Sequence, residues 1–229
     1  MKGARNSTPR EGGREKARSW PVTQRLLCSL CVLLLITACR ALPLTQPRHF
    51  SKEESGGGLI LDLGSHILDL LDYLLGPLTA VSGSAARTNP LSPGGAAIED
   101  VVVGSWLHKT DSRVIPGSCS FNFASSYNMD EITIVGADQT IRFSAFTDIP
   151  ATITSGSAPV WSSEQSVSFK EFGGVMEHVH SPLVGKIVDF LLDRGELGGE
   201  VATSETAHRT QVVIDKLLNG RRSWEDEYV

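Results

Sequence analysis

The chain has 229 residues, of which 41% are apolar and 21% charged, so it is long enough for one large domain or for a domain with a tail. The net charge of −5 conceals an asymmetry. Residues 1–50 hold nine Lys or Arg against two Asp or Glu, whereas residues 51–229 hold twelve against 24. The acidic larger part argues against nucleic-acid binding, which needs a basic face. Three of the four cysteines lie before residue 40, so we do not expect disulfides to support the domain.

The basic head ends in thirteen uncharged and mostly apolar residues, Leu26–Ala38. This run is shorter than the roughly 20 residues that span a bilayer, and with the small residue Ala41 after it the segment resembles a secretory signal. Its end, "ITAC" at 36–39, also looks like a bacterial lipobox that would acylate the cysteine. The other interpretation is a poorly folded leader. We predict a basic leader, signal-like or disordered, over residues 1–45. The protein would be secreted or membrane-associated if the leader is a signal, and otherwise cytoplasmic.

Two short motifs suggest metals only weakly. Cys28 and Cys31 form a C-x-x-C pair in an apolar setting, and the chain has no second pair to complete a site. The stretch "EHVH", Glu177–His180, contains an H-x-H spacing that can ligate a metal, but a loop before the next helix is the favoured interpretation. We therefore predict no metal-binding residues.

The domain is predicted to begin near residue 46 and to run to residue 229. A connector, broken by two prolines, covers Pro43–Ser55. Leucines then recur at three-to-four spacing over Leu59–Leu75, which predicts a helix, and Gly76-Pro77 ends it.

Short β-rich runs fill residues 79–154 and are separated by Gly, Pro, Asn and Asp, with one further strand in "EQSVSFK". "GADQ", Gly136–Gln139, predicts a tight hairpin turn. Two helices follow, Pro182–Leu192 and Ser204–Leu218, with Ser204 as the expected N-cap of the second. One helix, many consecutive strands and two helices favour an α+β fold. We expect an open, largely antiparallel sheet with helices packed on one face.

The first helix carries polar residues along an otherwise apolar surface. Positions four apart lie one turn above each other in an α-helix, so Asp62, His66 and Asp69 share a stripe, with Asp72 near it. A carboxylate beside an imidazole orients the ring and suits proton transfer near neutral pH. The glycines at 56–58 would let another backbone or a ligand approach. The alternative is an Asp–His pair with only a structural role at a helix surface.

The stretch "SGGGLILDLGSHILDLLDYLLG" resembles the start of the C-terminal domain of the Gfo/Idh/MocA oxidoreductases, the relatives of glucose–fructose oxidoreductase and inositol dehydrogenase. Their pattern there is a glycine cluster followed by D-x-G-x-H-x-x-D, which reads here as Asp62, Gly64, His66 and Asp69. The resemblance continues in order through "EDVVVGSWLH", "DEITIVGADQTIRFS", "HSPLVGKIVDFLLDRG" and "ATSETAHRTQVVIDKLLNG". It covers residues 46–229.

The resemblance implies catalytic roles for two residues. In the family, the histidine that matches His66 gives or takes the proton of the substrate hydroxyl or carbonyl, and the aspartate that matches Asp62 positions substrate and histidine. The family cofactor, NAD or NADP, takes the hydride and is bound by a separate Rossmann domain. The open sheet often forms a homo-oligomer.

The chain departs from the family in its first part. No G-x-G-x-x-G occurs in it, the family's Glu-Lys-Pro motif is missing, and the residues before 46 are too few for a Rossmann domain. We predict no cofactor-binding residues in this chain. The expected function is the substrate-side half of a truncated NAD(P)-dependent dehydrogenase for a sugar, polyol or related hydroxyl compound. The alternative is a non-catalytic dimerisation or interaction module in which Asp62 and His66 are idle.

Overall fold

The computed structural model describes residues 31–39, 58–88, 98–109, 113–147, 149–155, 164–167, 178, 180–198 and 201–219. Its strands are β1 (Cys31–Cys39), β2 (Leu78–Ala86), β3 (Val101–Lys109), β4 (Val114–Asn122), β5 (Met129–Gly136), β6 (Gln139–Phe143), β7 (Ala151–Ser155) and β8 (Glu164–Val167). A π-helical turn (Ile60–Gly64) runs directly into helix α1 (Ser65–Leu75), and α2 (Ser181–Leu191) and α3 (Ser204–Asn219) follow the strands.

The eight strands form one open sheet in the order β2-β3-β4-β1-β5-β6-β7-β8. Every neighbouring pair is antiparallel except β1 and β4, which run parallel. Consecutive strands pair as two meanders, β2-β3-β4 and β5-β6-β7-β8, because strands that follow each other in the chain usually lie side by side. Only Ala137 and Asp138 separate β5 from β6, as the predicted hairpin requires. The predicted α+β class with a largely antiparallel sheet is confirmed.

Strand β1 lies in the centre of this sheet, although the sequence assigned its residues to the leader. Leu34–Cys39 pair with Gly117–Asn122 on one side and with β5 on the other, and Ile36 is buried in the core. A short, continuous apolar run is typical both of a signal segment and of a strand buried between neighbours, because neither shows polar alternation. The folded sheet therefore includes Cys31–Cys39, which lie ahead of the predicted domain boundary near residue 46.

Helices α1 and α3 cover one face of the sheet. The buried side chains of α1 are Ile67, Leu68, Leu71, Asp72 and Leu75. They meet alternate residues of the central strands, because side chains on a strand point in turn to opposite faces. The strand residues in this core include Val102, Trp106, Ile115, Cys119, Phe121 and Ile132.

Helix α2 behaves differently, since all of its residues are exposed. Within the described residues, no helix is both long and apolar enough to cross a membrane.

Gly76 ends helix α1 as predicted, whereas the N-cap of helix α3 is not the predicted residue. Gly76 ends α1 with a positive φ of 89°, which a glycine adopts without strain, and its N–H donates to the Asp72 carbonyl. At the start of α3, Thr203 and not Ser204 is the cap. Its hydroxyl accepts from the N–H of Thr206 at 3.4 Å, and the Thr206 hydroxyl accepts from the N–H of Thr203 at 2.8 Å. The reciprocal pair has the geometry of a capping box, with threonine in the place usually held by Glu or Gln.

Helix α3 lies very close to the sheet where two glycines pair. Gly83 of β2 is opposite Gly104 of β3, and Leu217 sits on both. A Cβ atom on Gly83 would lie 2.7 Å from the Leu217 Cα atom, and one on Gly104 would lie 2.2 Å from its Cδ2 atom. Only a residue without a side chain permits this approach, so the glycine pair sets the distance between α3 and the sheet.

Candidate functional site

The two predicted site residues lie at the junction of the π-helical turn and α1. Asp62 is in the turn, His66 is the second residue of α1, and both are exposed. The Ser65 hydroxyl donates to the backbone oxygen of Asp62 at 2.7 Å. Single π-helical turns are rare and occur often at functional sites.

The π-helical turn changes the spacing on which the stripe was predicted. Its hydrogen bonds run from i to i+5, so the turn is wider than the 3.6 residues assumed for an α-helix. Asp62 is therefore not stacked directly one α-helical turn before His66. The described contacts of these two residues do not include a hydrogen bond to each other.

The glycines around the site are used for packing within the protein. A Cβ on Gly58 would lie 2.4 Å from the Glu99 Oε1 atom and 2.8 Å from Ile98, so the space beside this glycine is filled by side chains of the segment before β3. A Cβ on Gly64 would lie 2.4 Å from Ile60 Cδ1, which packs over it within the π-helical turn. The opening that the sequence suggested for a ligand is thus closed at Gly58, and the other two glycines lie outside the described residues.

Asp69 and Asp72 contact α3. The Arg209 guanidinium donates to both oxygens of Asp72, from Nε to Oδ1 at 3.2 Å and from Nη2 to Oδ2 at 2.5 Å. This bidentate pair is mostly buried at the carboxylate, of which 6% is exposed. The Thr210 hydroxyl lies 3.5 Å from Asp69 Oδ1. Asp72 therefore joins two helices, which the sequence could not show because its partner lies 137 residues further along.

Asp69 lies on α1 between His66 and Asp72 in the chain. Burial, followed by repulsion from Asp72, raises the pKa of Asp69 above its ordinary value, while Thr210, His66 and Arg209 oppose the shift. His66 lies three positions before Asp69 on the same helix, a spacing at which helical side chains are neighbours, so the imidazole and the carboxylate interact electrostatically.

An aromatic residue that the sequence did not single out completes the surroundings of His66. The ring of Phe146, in the segment after β6, lies 6.2 Å from the imidazole centroid at an interplanar angle of 84°. This edge-to-face arrangement is the preferred one for aromatic rings. No sequence pattern signals the contact, because the two residues are 80 positions apart and meet only when β6 takes its place in the sheet.

Thiol and metal chemistry can be examined in the described residues outside this site. Cys119 is a buried free thiol, and burial raises its pKa to about 12, so it is not a reactive nucleophile. Among the described residues, no group of three His, Cys, Asp or Glu side chains is placed to hold a metal ion. Of the weak metal motifs, Cys28 and Glu177 lie outside the described residues.

An exposed carboxylate and imidazole on a helix, above a mostly antiparallel open sheet, define a domain with a candidate acid–base site. Residues 34–142 match the family model of the GFO/IDH/MocA C-terminal domain, and this part of the chain is a domain of that family. No curated protein sequence matches the chain.

Solved structures share the fold. A levoglucosan dehydrogenase in complex with NADH and levoglucosan is 16% identical, with a TM-score of 0.60 over 86% of this chain. The WlbA dehydrogenase of Bordetella pertussis, in complex with NADH and UDP-GlcNAcA, is 15% identical, with a TM-score of 0.57 over 90% of this chain. An oxidoreductase of Agrobacterium radiobacter, in complex with NAD+, L-tartaric acid and magnesium, is 15% identical, with a TM-score of 0.62 over 86%. This chain covers 58%, 58% and 59% of those three proteins, respectively.

The described residues do not offer a dinucleotide site. Such a site needs a parallel β-α-β unit whose first turn is rich in glycine, so that the pyrophosphate can approach the helix N-terminus. Here the one parallel pair, β1 and β4, has no G-x-G-x-x-G after its first strand. The described residues therefore do not form the glycine-rich turn with which such a unit holds NAD or NADP.

Proposed function

We propose that this domain is the substrate-side half of an NAD(P)-dependent oxidoreductase that acts on a sugar, polyol or related hydroxyl compound. The observation that carries the proposal is the exposure of His66 and Asp62 at a π-helical turn, in a domain of the GFO/IDH/MocA family. The solved structures of the same fold support it through the NADH and sugar ligands that two of them contain. The nucleotide-binding unit would be a separate chain or a part of a longer protein.

The chemical step that we propose for this chain is the transfer of one proton to and from the substrate oxygen. His66 would accept the proton of the substrate hydroxyl as the alcohol is oxidised, and return it to the carbonyl oxygen in the reverse direction. Asp62, exposed in the π-helical turn, would hold a neighbouring hydroxyl of the substrate by a hydrogen bond to its carboxylate.

Binding of a sugar to the 229-residue chain tests this proposal. We expect saturable binding of methyl α-glucoside, measured by saturation-transfer NMR, and a marked loss in the variants His66→Ala and Asp62→Asn. The exposed His208 of α3 offers a matched control, since His208→Ala should bind like the unchanged chain. If no glucoside or polyol binds, or if His66→Ala and His208→Ala bind equally, the assignment of the site is wrong.

A second candidate is a non-catalytic association module, and the open face of the sheet favours it. Four apolar side chains lie exposed there, at 37% to 56% of their full area: Leu35, Val103, Leu107 and Val114. The proposed homo-oligomer would bury this face. The double variant Val103→Lys/Leu107→Lys should then convert a dimer to a monomer in light scattering; an unchanged mass would exclude this surface.

NADH titration separates the two candidates further. Saturable NADH binding, by the chain with or without a nucleotide-binding partner, supports the oxidoreductase. A dimer that binds neither sugar nor NADH under any condition supports the association module, with Asp62 and His66 idle.

A further inference from the structure

Phe146 is an exposed aromatic residue in a turn that the protein holds firmly in place. Its side chain is 43% exposed, and one edge-to-face contact with His66 accounts for its position beside the candidate site. Burying an aromatic ring is favourable, so an exposed ring in a fixed position next to a proton-transfer residue is a surface that a ligand can cover. We propose that Phe146 is the apolar wall of the site and binds the C–H face of a ring-shaped sugar or polyol; this inference rests on the proposed function above.

The turn that carries Phe146 is fixed from below by a carboxylate of β5. Asp130 Oδ2 accepts from the Ser144 hydroxyl at 2.5 Å and from the N–H of Phe146 at 2.8 Å. The Ser144 oxygen accepts in turn from the N–H of Thr147 at 2.9 Å. Ser144 is buried, with 8% of its area exposed, and its bonds to Asp130 and Thr147 are partly buried, whereas the bond from the Phe146 N–H is exposed; together the three bonds hold the turn in place. The position of the ring is therefore set by the protein before any ligand binds.

The chemistry around the ring selects the class of ligand. His66 and Asp62 present an acid–base group and a hydrogen-bond acceptor, which suit hydroxyl groups, whereas Phe146 presents only an apolar surface. A pyranose or cyclic polyol has both kinds of surface, with hydroxyls at its rim and C–H bonds on its faces. An acyclic polyol has the hydroxyls but no fixed face. The wall therefore adds affinity for the ring-shaped ligand alone.

Comparing the binding of a cyclic and an acyclic ligand tests whether Phe146 forms the apolar wall of the site. We expect Phe146→Ala to weaken binding of methyl α-glucoside by roughly three- to tenfold, the range given by one aromatic contact, and to leave binding of sorbitol unchanged. Phe190 of α2 is the matched control, because it is 46% exposed and lies outside the site; Phe190→Ala should bind both ligands like the unchanged chain. Phe146→Leu keeps an apolar side chain but removes the flat face, and should behave like Phe146→Ala.

The ring contact also has a readout that needs no ligand. The Phe146 ring current should shift the imidazole proton resonances of His66, and this shift should disappear in Phe146→Ala and Phe146→Leu while the rest of the spectrum shows a folded protein. Ser144→Ala, which keeps the ring but removes a hydroxyl from the turn, should reduce both the shift and the glucoside affinity.

The results distinguish this inference from the proposed function. Suppose that methyl α-glucoside binds and that His66→Ala weakens this binding, but that Phe146→Ala binds the glucoside like Phe190→Ala. Phe146 is then not the apolar wall of the site, and the proposed function stands. Equal losses of glucoside and sorbitol in Phe146→Ala would also overturn it, because a face contact cannot act on an acyclic ligand. If the unchanged chain binds neither ligand, both proposals fail.

Discussion

At the scale of single residues, the buried His108 of β3 has a hydrogen-bond partner at each ring nitrogen. The Trp106 indole N–H donates to its Nε2 atom at 2.9 Å, so Nε2 must accept and the ring proton is on Nδ1. Nδ1 in turn donates to the Gly76 carbonyl oxygen at 2.7 Å, at the end of α1. The neutral ring thus satisfies two groups at once and connects the first helix to the sheet.

Acid should destabilise the protein through this histidine. Burial lowers the pKa of His108, while the unfolded chain keeps the ordinary value of about 6.5. The unfolded state therefore binds more protons at lower pH, so stability is complete above about 6.5 and falls as the pH drops towards the folded pKa. We expect the urea midpoint to decrease between pH 7.5 and 5.5, and this decrease to become smaller in His108→Gln.

The exposed His208 gives the comparison for that experiment. His208→Gln should keep the full decrease in the urea midpoint. If the two variants show the same pH dependence, His108 is not the group responsible.

Some residues of the candidate site could be predicted from a local motif, whereas others could not because their partners are distant in the sequence. Asp62 and His66 were found from the D-x-G-x-H pattern, and both are exposed as a site requires. Their catalytic roles stay a prediction. The pairing of Asp72 with Arg209 and the contact of Phe146 with His66 could not be found, because each partner comes from a different part of the chain and no spacing encodes it.

At the scale of elements, the helices and hairpins were predicted within a few residues, because leucine periodicity, turn residues and β-branched runs are local signals. The π-helical turn was not predicted, since its apolar pattern is the same as that of an α-helix. The close packing of α3 was not predicted either. It depends on Gly83 and Gly104 lying opposite each other, and the register of β2 and β3 decides this.

A methyl group at the glycine pair should separate α3 from the sheet. Gly83→Ala places its Cβ against the backbone of Leu217, which cannot rotate away, so we expect a loss of about 1–3 kcal/mol, as for other overpacked cores. Gly185 of α2 is the control, because no atom lies within 4 Å of its Cβ position. Gly185→Ala should stabilise the protein by about 0.5–1 kcal/mol through helix propensity. Equal effects of the two changes on the urea midpoint would contradict this account of α3.

At the scale of the whole molecule, the sheet consists of two meanders that meet only through β1. One meander is β2-β3-β4 and the other is β5-β6-β7-β8. Without β1, the edges of β4 and β5 would each expose unpaired backbone groups in the middle of the domain. If the leader is a secretory signal, the small residues Ala38 and Ala41 are its candidate cleavage positions. A leader that is removed after either of them would take most or all of this strand with it. Cleavage at those sites and the fold described here therefore exclude each other.

Truncation tests this dependence. A variant without residues 1–39 should lose its cooperative thermal unfolding, measured by circular dichroism, because the two meanders no longer share a sheet. A variant without residues 1–30, which keeps β1, should unfold like the full chain. If both variants unfold alike, β1 is not a required strand, and the mature N-terminus should be sought after Ala38 or Ala41.

The sequence by itself determined the order of helix, strands and helices, the α+β class and the residues of the D-x-G-x-H motif, because periodicity, turn residues and motifs act over a few neighbouring positions. The tertiary structure alone decided that Cys31–Cys39 is a central strand and that Asp72 joins α1 to α3. It also decided that Phe146 faces His66. Each of these depends on which segments meet after the chain has folded, and the burial, register and partners that decide this are not contained in any local pattern.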